Sequence, residues 1–408
     1  MKVKQSVSLF SVLMIVALAA SACINSGSSG SAAPTPTVGS MPLTGETPPA
    51  GAAPSQPPAA VPTASTVPAT SAPAAELKPV TSKELNLYGW SEYIPQQLLD
   101  DFSKAYNLKV NYDTYSSNEE LMAKLQAGAS GYDVIIPSDY TVAIMVKQGL
   151  LEPLDLSQIP NLSNVDERFR SLDFDPGNLY TVPYQWGTTG LAVNTAKVTK
   201  KIDSWQALWD PAYKQRVVML DDEREVLGLV LRVLGYDTNS TDPKQLNEAK
   251  AKLTELMPNV KLFDSDSPKT ALLSGEVWLG LTWNGEAALA HQQNPAIQYS
   301  CPKEGCVIWY DNLAVPKGAP HLDAAQAFLN FVLTPEESIL ITREFPYSNP
   351  NKAALGLLQQ QDPDAYKAYM DFPATNPSEA DIKNAKTIKD VGDATTLWDQ
   401  IWTEVKGK

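Results

Sequence analysis

The chain has 408 residues, of which 43% are hydrophobic, and at about 100 to 200 residues per domain this length allows two or three domains. Its formal net charge of −14 repels phosphate backbones, so the composition argues against nucleic acid as a partner and favours cationic partners. Solubility alone would also explain the charge.

The amino terminus has the pattern of an export signal. Lys2 and Lys4 precede an apolar run, VSLFSVLMIVALAA, which is short for a membrane span and leads through small residues to Cys23. These small residues resemble a bacterial lipobox, although Ala20 stands where leucine is the commonest residue. We expect a lipoprotein signal peptide over residues 1–22 and lipid attachment to Cys23; ordinary signal cleavage beside an unrelated cysteine is the alternative.

Residues 23–80 are expected to form a disordered tether that starts at this cysteine. The segment consists almost entirely of Ser, Gly, Ala, Pro and Thr, so it cannot bury enough apolar surface to offset the entropy lost on ordering. As a flexible coil it would span about 40 Å, which would hold a folded domain clear of a lipid surface. Stable attachment would require several acyl chains on the cysteine.

Strand and helix patterns alternate from residue 81 onward. The segments ELNLYGW, LKVNYDTY and YDVIIP have strand patterns, and each is followed by a helical pattern, in PQQLLDDFSKAY, NEELMAKLQAG and DYTVAIMVKQG. This order, with short connections, predicts a parallel sheet with helices on both faces. Ligands bind beyond the carboxyl ends of the strands in such sheets, so residues 90–93 and 138–140 are candidates for a site.

A second α/β region begins with the strand pattern PYQWGTTGLAVN at residues 183–194. It continues through SWQALWDPAYKQRVVML to a helix with an acidic start, DDEREVLGLVLRVLGY, and then to a strand, EVWLGLTWNGEAAL, that runs into a helix at Gly285. The segment CVIWYDNLAVP precedes one more predicted helix, LDAAQAFLNFVLTPEES. Two α/β lobes are therefore the expected architecture.

Acidic and aromatic side chains recur together along these regions. Asp222 and Glu225 are three residues apart, so a helix would place both carboxylates on one face, although capping of the helix start explains the same spacing. The other positions of this kind are residues 90–93, Tyr140, Trp283 and residues 309–311. A single tryptophan or acid at one of them is uninformative, whereas the recurrence points to a site.

An organic cation needs this combination of side chains. Carboxylates restore the energy that an ammonium group loses on leaving water, because they accept charge-assisted hydrogen bonds from it. Indole and phenol faces attract the same cation and cover its methylenes, and each contact contributes about 0.5 to 2 kcal/mol. A polyamine, which carries amines at intervals along a flexible chain, fits acids at intervals with aromatic walls between them.

The sequence contains little that points to catalysis. His291 and His321 lie beside no nucleophile motif, and there is no metal-spaced His/Cys cluster, Walker loop or GxGxxG. We expect no enzyme activity, no cofactor and no metal. Paired acids could also act in a glycoside hydrolase, which stays open as the enzyme alternative.

From about Leu85 to the carboxyl end, a series of segments resembles the extracytoplasmic spermidine/putrescine-binding proteins of polyamine ABC transporters. In order, they are YGWSEYIP, YDVIIPSDY, VPYQWGTTGLAVN, SWQALWDP, DDEREV, VLRVLGY, TDPK, LMPNV, GEVWLGLTWNG, PKEG and DVGDA. The resemblance implies a type II periplasmic-binding-protein fold, in which two discontinuous α/β lobes are joined by a hinge and the ligand binds in the cleft between them. We expect one lobe to comprise residues 81–188 plus 310–354 and the other residues 189–309 plus 355–408.

The resemblance also implies a function. The protein would capture an extracellular polyamine of the putrescine/spermidine class and deliver it to ABC transporter permease subunits, as a monomer held to the outer face of the cell membrane by its lipid anchor. A receptor for another small organic cation and a polyamine sensor are the alternatives. A metal ligand is disfavoured because the acids alternate with tryptophan rather than with clusters of His and Tyr.

Ligand contacts follow from the resemblance residue by residue. They are Trp90, Ser91, Glu92, Tyr93, Ser138, Tyr140, Asp222, Glu225, Trp283, Trp309, Asp311 and Phe345. Asp222 and Glu225 match the acidic pair of the family, which favours ligand binding over capping, and Asp311 would contact the central part of the ligand. Phe345 stands in place of a tyrosine and Ile388 near the place of a glutamine; both changes remove a polar partner for an amine, so the preferred polyamine stays open.

Cys301 and Cys306 are a departure from the family pattern. They flank PKEG, which has the composition of a turn, and an exported location favours oxidation. We predict a disulfide between them that stabilises the fold by about 2 kcal/mol. Two free thiols in the core are the alternative.

Overall fold

The computed structural model describes residues 77–128 and 131–407. The predicted signal peptide, the predicted lipid-anchor residue Cys23 and the predicted tether up to residue 76 lie outside the described residues. Within the described ranges, none of the helices combines the length and the apolar character that crossing a membrane requires.

The described part of the chain contains nine strands, which form one sheet. In chain order they are β1 Glu84–Trp90, β2 Lys109–Tyr115, β3 Val134–Ile135, β4 Thr181–Asn194, β5 Val217–Met219, β6 Val260–Phe263, β7 Leu279–Trp283, β8 Ile297–Ser300 and β9 Val307–Ala314. The order across the sheet is β2-β1-β3-β9-β4-β7-β5-β6, and β8 also pairs with β4.

Thirteen α-helices accompany the sheet within the same described ranges. They are α1 Gln96–Tyr106, α2 Asn118–Gln126, α3 Asp139–Gln148, α4 Glu223–Val233, α5 Pro243–Leu256, α6 Lys269–Ser274, α7 Asn284–Gln293, α8 Leu322–Val332, α9 Pro335–Glu344, α10 Lys352–Gln361, α11 Pro363–Asp371, α12 Glu379–Asn384 and α13 Thr395–Lys406. The segment LDAAQAFLNFVLTPEES, predicted as one helix, contributes to two, because Thr334 caps a new helix that begins at Pro335.

Two parallel parts of the sheet are joined by antiparallel strands. Strand β1 pairs in parallel with β2 and β3, and strand β5 pairs in parallel with β6 and β7. We call the part built on β1–β3 the first lobe and the part built on β5–β7 the second lobe. Between them, β4 runs antiparallel to β9 and then to β7, with Thr189 paired to both. The parallel pairing predicted for the first three strands is therefore confirmed, whereas the sequence predicted no direction for β4 and β9, the antiparallel strands that connect the lobes.

Each lobe has its own hydrophobic core. Phe102 and Phe328 are buried in the first lobe, and Trp205 and Trp398 are buried in the second. Moving a large apolar side chain out of water contributes about 1.5 to 3 kcal/mol, so these cores account for much of the stability of each lobe. Helix α13 packs on the second core through Trp398 and Val405, which places the carboxyl-terminal helix with that lobe.

The predicted disulfide between Cys301 and Cys306 is confirmed, with 5.2 Å between the two Cα atoms. It closes the loop between β8 and β9, two strands that both pair with β4. Arg232 of α4 donates hydrogen bonds to the carbonyl oxygens of Glu304, at 3.0 Å, and of Cys306, at 2.7 Å. These bonds fix the loop to a helix of the second lobe.

Candidate ligand-binding cleft

A cleft lies where the first lobe faces the second. Strands β1 and β7 end there, and helices α3 and α4 start there, as expected for a ligand site in an α/β protein. Ten of the twelve predicted ligand contacts line it, namely Trp90, Ser91, Tyr93, Ser138, Tyr140, Asp222, Glu225, Trp283, Trp309 and Asp311. The lining also includes Asn118, Asp139, Ser265, Asp266, Tyr347 and Ile388.

Asp311 is held by two hydroxyl groups. Asp311 lies on strand β9, between the lobes, and is only 5% exposed. The hydroxyl of Tyr93 donates to Oδ2 at 2.6 Å, and Ser138 Oγ donates to Oδ1 at 2.6 Å. Burial raises the pKa of Asp311 to about 6, although both hydrogen bonds favour the ionised form.

Asp222 and Glu225 form an acidic pair at the start of α4. Asp222 caps the helix, since its Oδ1 accepts from the Glu225 N–H at 3.0 Å, so capping and a place in the cleft are compatible. The two residues are 5% and 2% exposed. Thr189 Oγ1 donates to Glu225 Oε1 at 2.8 Å, while Glu225 Oε2 has no hydrogen-bond partner among the described residues.

Burial disfavours the ionised form of both carboxyl groups. It raises the pKa of Asp222 to about 7, and the Glu119 carboxylate adds to the shift. Burial and then the neighbouring Asp222 raise the pKa of Glu225 well above its ordinary value. A cation close to these acids would therefore favour their ionised forms.

Asp139 is a fourth buried acid of the cleft and was not predicted from the sequence. It stands between Ser138 and Tyr140 in the chain, and its Oδ1 is buried with no hydrogen-bond partner in the described part of the structure. Burial, with the nearby Asp311, raises the pKa of Asp139 to about 8. Its position between two predicted contacts was an available signal. Asn118, also missed, fixes Ser138 through hydrogen bonds of 3.1 and 3.2 Å.

Aromatic rings form a continuous wall. The ring centroids of Trp90 and Trp283 are 6.4 Å apart, those of Trp283 and Trp309 are 6.3 Å apart, and those of Trp309 and Tyr347 are 5.7 Å apart. Each indole N–H is bonded to the protein, at 3.0 Å for Trp90, 3.0 Å for Trp283 and 3.2 Å for Trp309. Because these bonds fix the ring planes, the wall is preorganised for a cation and its methylenes.

Two predicted contacts do not line the cleft. Glu92 instead forms an ion pair with Lys269, whose ammonium also contacts Glu286 at 3.0 Å. Phe345 packs against the core of the first lobe just after α9. The ring expected at that position comes from Tyr347, two residues later in EFPYSNP, which packs 5.2 Å from the ring of Tyr93.

The two lobes touch across the cleft. Ser91 of the first lobe donates a hydrogen bond of 3.0 Å to Asp266 in the loop after β6 of the second lobe. The Glu92–Lys269 ion pair and the Trp90–Trp283 ring contact span the same gap. Ser265 and Asp266 were missed because no spacing pattern marks the loop that carries them.

The cleft acids form no close ion pair within the described residues, although the more distant charges of Arg224 and Arg232 partly offset the raised pKa values of Asp222 and Glu225. In residues 77–128 and 131–407, no Lys or Arg nitrogen lies within 4.0 Å of a carboxylate oxygen of Asp222, Glu225 or Asp311. The same ranges contain no group of three or more His, Cys, Asp and Glu side chains that could hold a metal ion. Buried acids between aromatic walls suit an organic cation better than a metal.

Comparison with known proteins places the chain in a family. Residues 97–374 match the model for the bacterial extracellular solute-binding proteins. The spermidine/putrescine-binding periplasmic protein of Escherichia coli K12 is 40% identical over 324 residues, which cover 79% of this chain and 91% of that protein.

Solved structures show the same relationship. A spermidine/putrescine ABC transporter substrate-binding protein from Streptococcus pneumoniae is 35% identical, with a TM-score of 0.66, over 80% of this chain and 99% of that one. The TpPotD lipoprotein of Treponema pallidum is 31% identical, with a TM-score of 0.68, over 80% of this chain and 100% of that one. The predicted type II periplasmic-binding-protein fold is thereby confirmed, as is the prediction of a binding protein rather than an enzyme. The chain belongs to the bacterial extracellular solute-binding proteins, the family that includes these spermidine/putrescine-binding proteins.

Proposed function

We propose that this protein captures an extracellular polyamine of the putrescine/spermidine class and delivers it to the permease subunits of an ABC transporter. The observation that carries the proposal is a set of buried carboxylates that form no ion pair within the described residues and face an aromatic wall, namely Asp222, Glu225 and Asp311. The names of the similar proteins from Escherichia coli and Streptococcus pneumoniae support the same ligand class.

Burying a carboxylate without a partner costs free energy. A carboxylate taken out of water loses hydration, and the raised pKa values of Asp222 and Asp311 express that loss. An alkylammonium group that enters the cleft supplies the missing charge and donates hydrogen bonds to the carboxylate oxygens. Its methylenes then lie against the indole rings and against Ile388, which lines the same cleft.

Delivery requires that ligand binding changes the protein in a way that the permease detects. Asp311 lies on β9, which with β4 connects the two lobes, whereas Asp222 and Glu225 belong to the second lobe. A ligand that contacts acids on both sides would favour the closed arrangement of the lobes. We assign residues 81–188 plus 310–354 to the first lobe and residues 189–309 plus 355–408 to the second.

Attachment to the membrane is part of the proposal. A lipid on Cys23 and a tether over residues 23–80 would hold the receptor at the outer face of the cell membrane as a monomer. The lipobox-like sequence before Cys23 supports this, as does the lipoprotein description of the similar Treponema pallidum protein. Loss of acyl labelling in a Cys23→Ser variant is the expected result, and undiminished labelling would contradict it.

Titration calorimetry tests the proposed ligand. Putrescine, cadaverine, spermidine and spermine would each be titrated into the protein, with folding checked by circular dichroism. We expect saturable binding of at least one of them, because the cleft acids require a cation. An absence of binding heat for all four with folded protein would overturn the proposed function.

A further inference from the structure

Lys269 places a protein ammonium group beside the cleft. Its Nζ contacts Glu92 of the first lobe and both carboxylate oxygens of Glu286 of the second lobe, each of the latter at 3.0 Å, and lies 2.9 Å from Ser267 Oγ. The side chains of Lys269 and Glu286 are 12% and 3% exposed. This arrangement, an ammonium enclosed by two carboxylates and a hydroxyl, is what a ligand amine would require.

The cluster formed by Lys269, Glu92 and Glu286 adjoins the cleft lining. Ser91, which lines the cleft, immediately precedes Glu92 in the chain. Tyr347, another lining residue, packs on the start of α7 so closely that a Cβ at Gly285 would lie 2.5 Å from its ring, and Glu286 is the next residue. The charges of Glu286, Asp311 and Glu92 all act on Tyr347. The cluster is therefore close to the space in which a ligand would lie.

We propose that the side-chain ammonium of Lys269 takes the place of one ligand amino group, so that the cleft accepts a diamine in preference to a triamine. This inference rests on the proposed function and specifies the ligand within it. Lys269 is then a specificity-determining residue.

The distribution of unpaired charge supports this assignment. Two places in the cleft offer buried carboxylates without an ion-pair partner among the described residues, and these suit the two ends of a diamine. One is the Asp222–Glu225 pair, and the other is Asp311 with the neighbouring Asp139. A third ligand ammonium directed at Glu92 would meet the positive charge of Lys269. Repulsion of this kind excludes a competing ligand as effectively as a missing contact does.

A second interpretation is that the ion pair only helps to hold the lobes together. That role predicts a different result when Lys269 is replaced, because loss of a latch weakens the binding of every ligand by a similar factor. A specificity role instead changes the ratio of two affinities.

The experiment compares putrescine and spermidine by titration calorimetry at pH 8. We expect the wild-type protein to bind putrescine at least about tenfold more tightly than spermidine, because Lys269 repels the third amine. In Lys269→Met, where Glu92 and Glu286 become available to a ligand ammonium, the affinity ratio should shift toward spermidine by at least about tenfold. In Lys269→Arg, which retains the charge, the preference for putrescine should persist.

Controls separate the possible failures. Lys317→Met removes the exposed Lys317–Glu152 ion pair, which lies outside the cleft, and should leave the ratio unchanged. Preference of the wild-type protein for spermidine, or an unchanged ratio in Lys269→Met, would overturn this inference and leave the proposed function standing. Failure of the wild-type protein to bind any polyamine would instead overturn the proposed function. If Lys269→Met does not fold, Lys269→Gln, which also removes the charge, is compared in its place, and an unchanged ratio there would equally overturn the inference.

Discussion

Two groups of acids meet at this cleft, and they are compensated in different ways. Glu92 and Glu286 share the ammonium of Lys269, which comes from the chain itself. The Asp222–Glu225 pair has no such partner in the described part of the molecule, and Glu225 Oε2 makes no hydrogen bond there. Both groups contain a carboxyl whose pKa burial raises to about 7, at Glu286 and at Asp222.

The difference teaches how to identify a binding acid. Burial and a raised pKa do not by themselves separate an acid that binds ligand from one that stabilises the fold. The distinguishing feature is the source of the opposite charge, because an acid paired within the chain is already satisfied and an unpaired one is not. By that criterion we propose that Asp311 and the Asp222–Glu225 pair bind the ligand, and that Glu286 stabilises the fold.

The largest expected effect is that of Asp311→Asn on ligand binding. The change removes the negative charge and keeps the shape, so a ligand ammonium would lose a buried charged partner. We expect polyamine affinity to fall by about 2 to 5 kcal/mol in calorimetric titration.

Glu152→Gln is the matched control for that experiment. Glu152 pairs with Lys317 at 3.0 Å and does not line the cleft, so its loss should change affinity by less than about twofold. Equal losses in the two variants would show that net charge alone governs binding.

Opposite changes in stability are expected when the two groups of acids are neutralised in the absence of ligand. Glu286→Gln leaves Lys269 without its most buried partner and should lower the free energy of unfolding by about 1 to 3 kcal/mol. Glu225→Gln removes an uncompensated carboxyl and should raise the free energy of unfolding by about 1 kcal/mol. Urea unfolding at pH 7.5 measures the stability of both variants. A loss of stability in Glu225→Gln would contradict the distinction between acids that are paired within the chain and acids that are not.

The disulfide lies outside both groups of acids and should affect stability alone. Paired replacement of Cys301 and Cys306 by serine releases the loop between β8 and β9, and we expect the free energy of unfolding to fall by about 2 kcal/mol. Putrescine affinity should stay within about twofold, because neither cysteine lines the cleft. A large loss of affinity would mean that this loop controls closure of the lobes.

Local sequence patterns were sufficient to predict many of the residues that line the candidate cleft. Residues 90–93 and 138–140 follow strands directly, and strand ends of a parallel sheet meet at one edge, so short patterns identify them. Tyr347 was missed because an irregular segment follows α9, where no period fixes which residue points into the cleft. The antiparallel course of β4 and β9 was missed because it depends on pairing between distant strands.

The pairing of Glu92 with Lys269 shows most clearly what local sequence patterns do not predict. The two residues are 177 positions apart, and nothing in either local pattern marks the contact. Glu92 therefore resembled the other acids of the cleft in the sequence, and only the tertiary structure separates it from them.

The smallest expected effect is the change in the free energy of unfolding per pH unit. Because burial raises the pKa of Asp222 to about 7 and that of Asp311 to about 6, the folded protein binds more protons than the unfolded chain between about pH 4 and pH 7. The free energy of unfolding without ligand should therefore fall as pH rises through this window, by up to about 1.4 kcal/mol per pH unit for each extra proton.

Ligand binding should have the opposite dependence, because an ammonium group binds the ionised acids and releases their protons. The rise in melting temperature caused by saturating putrescine should grow from pH 5.5 to pH 8, and Asp311→Asn should reduce that growth. Glu286→Gln should retain it, since Lys269 and not the ligand compensates Glu286. A melting-temperature shift independent of pH would mean that the cleft acids are already ionised without ligand, and the distinction between the two groups of acids would then fail.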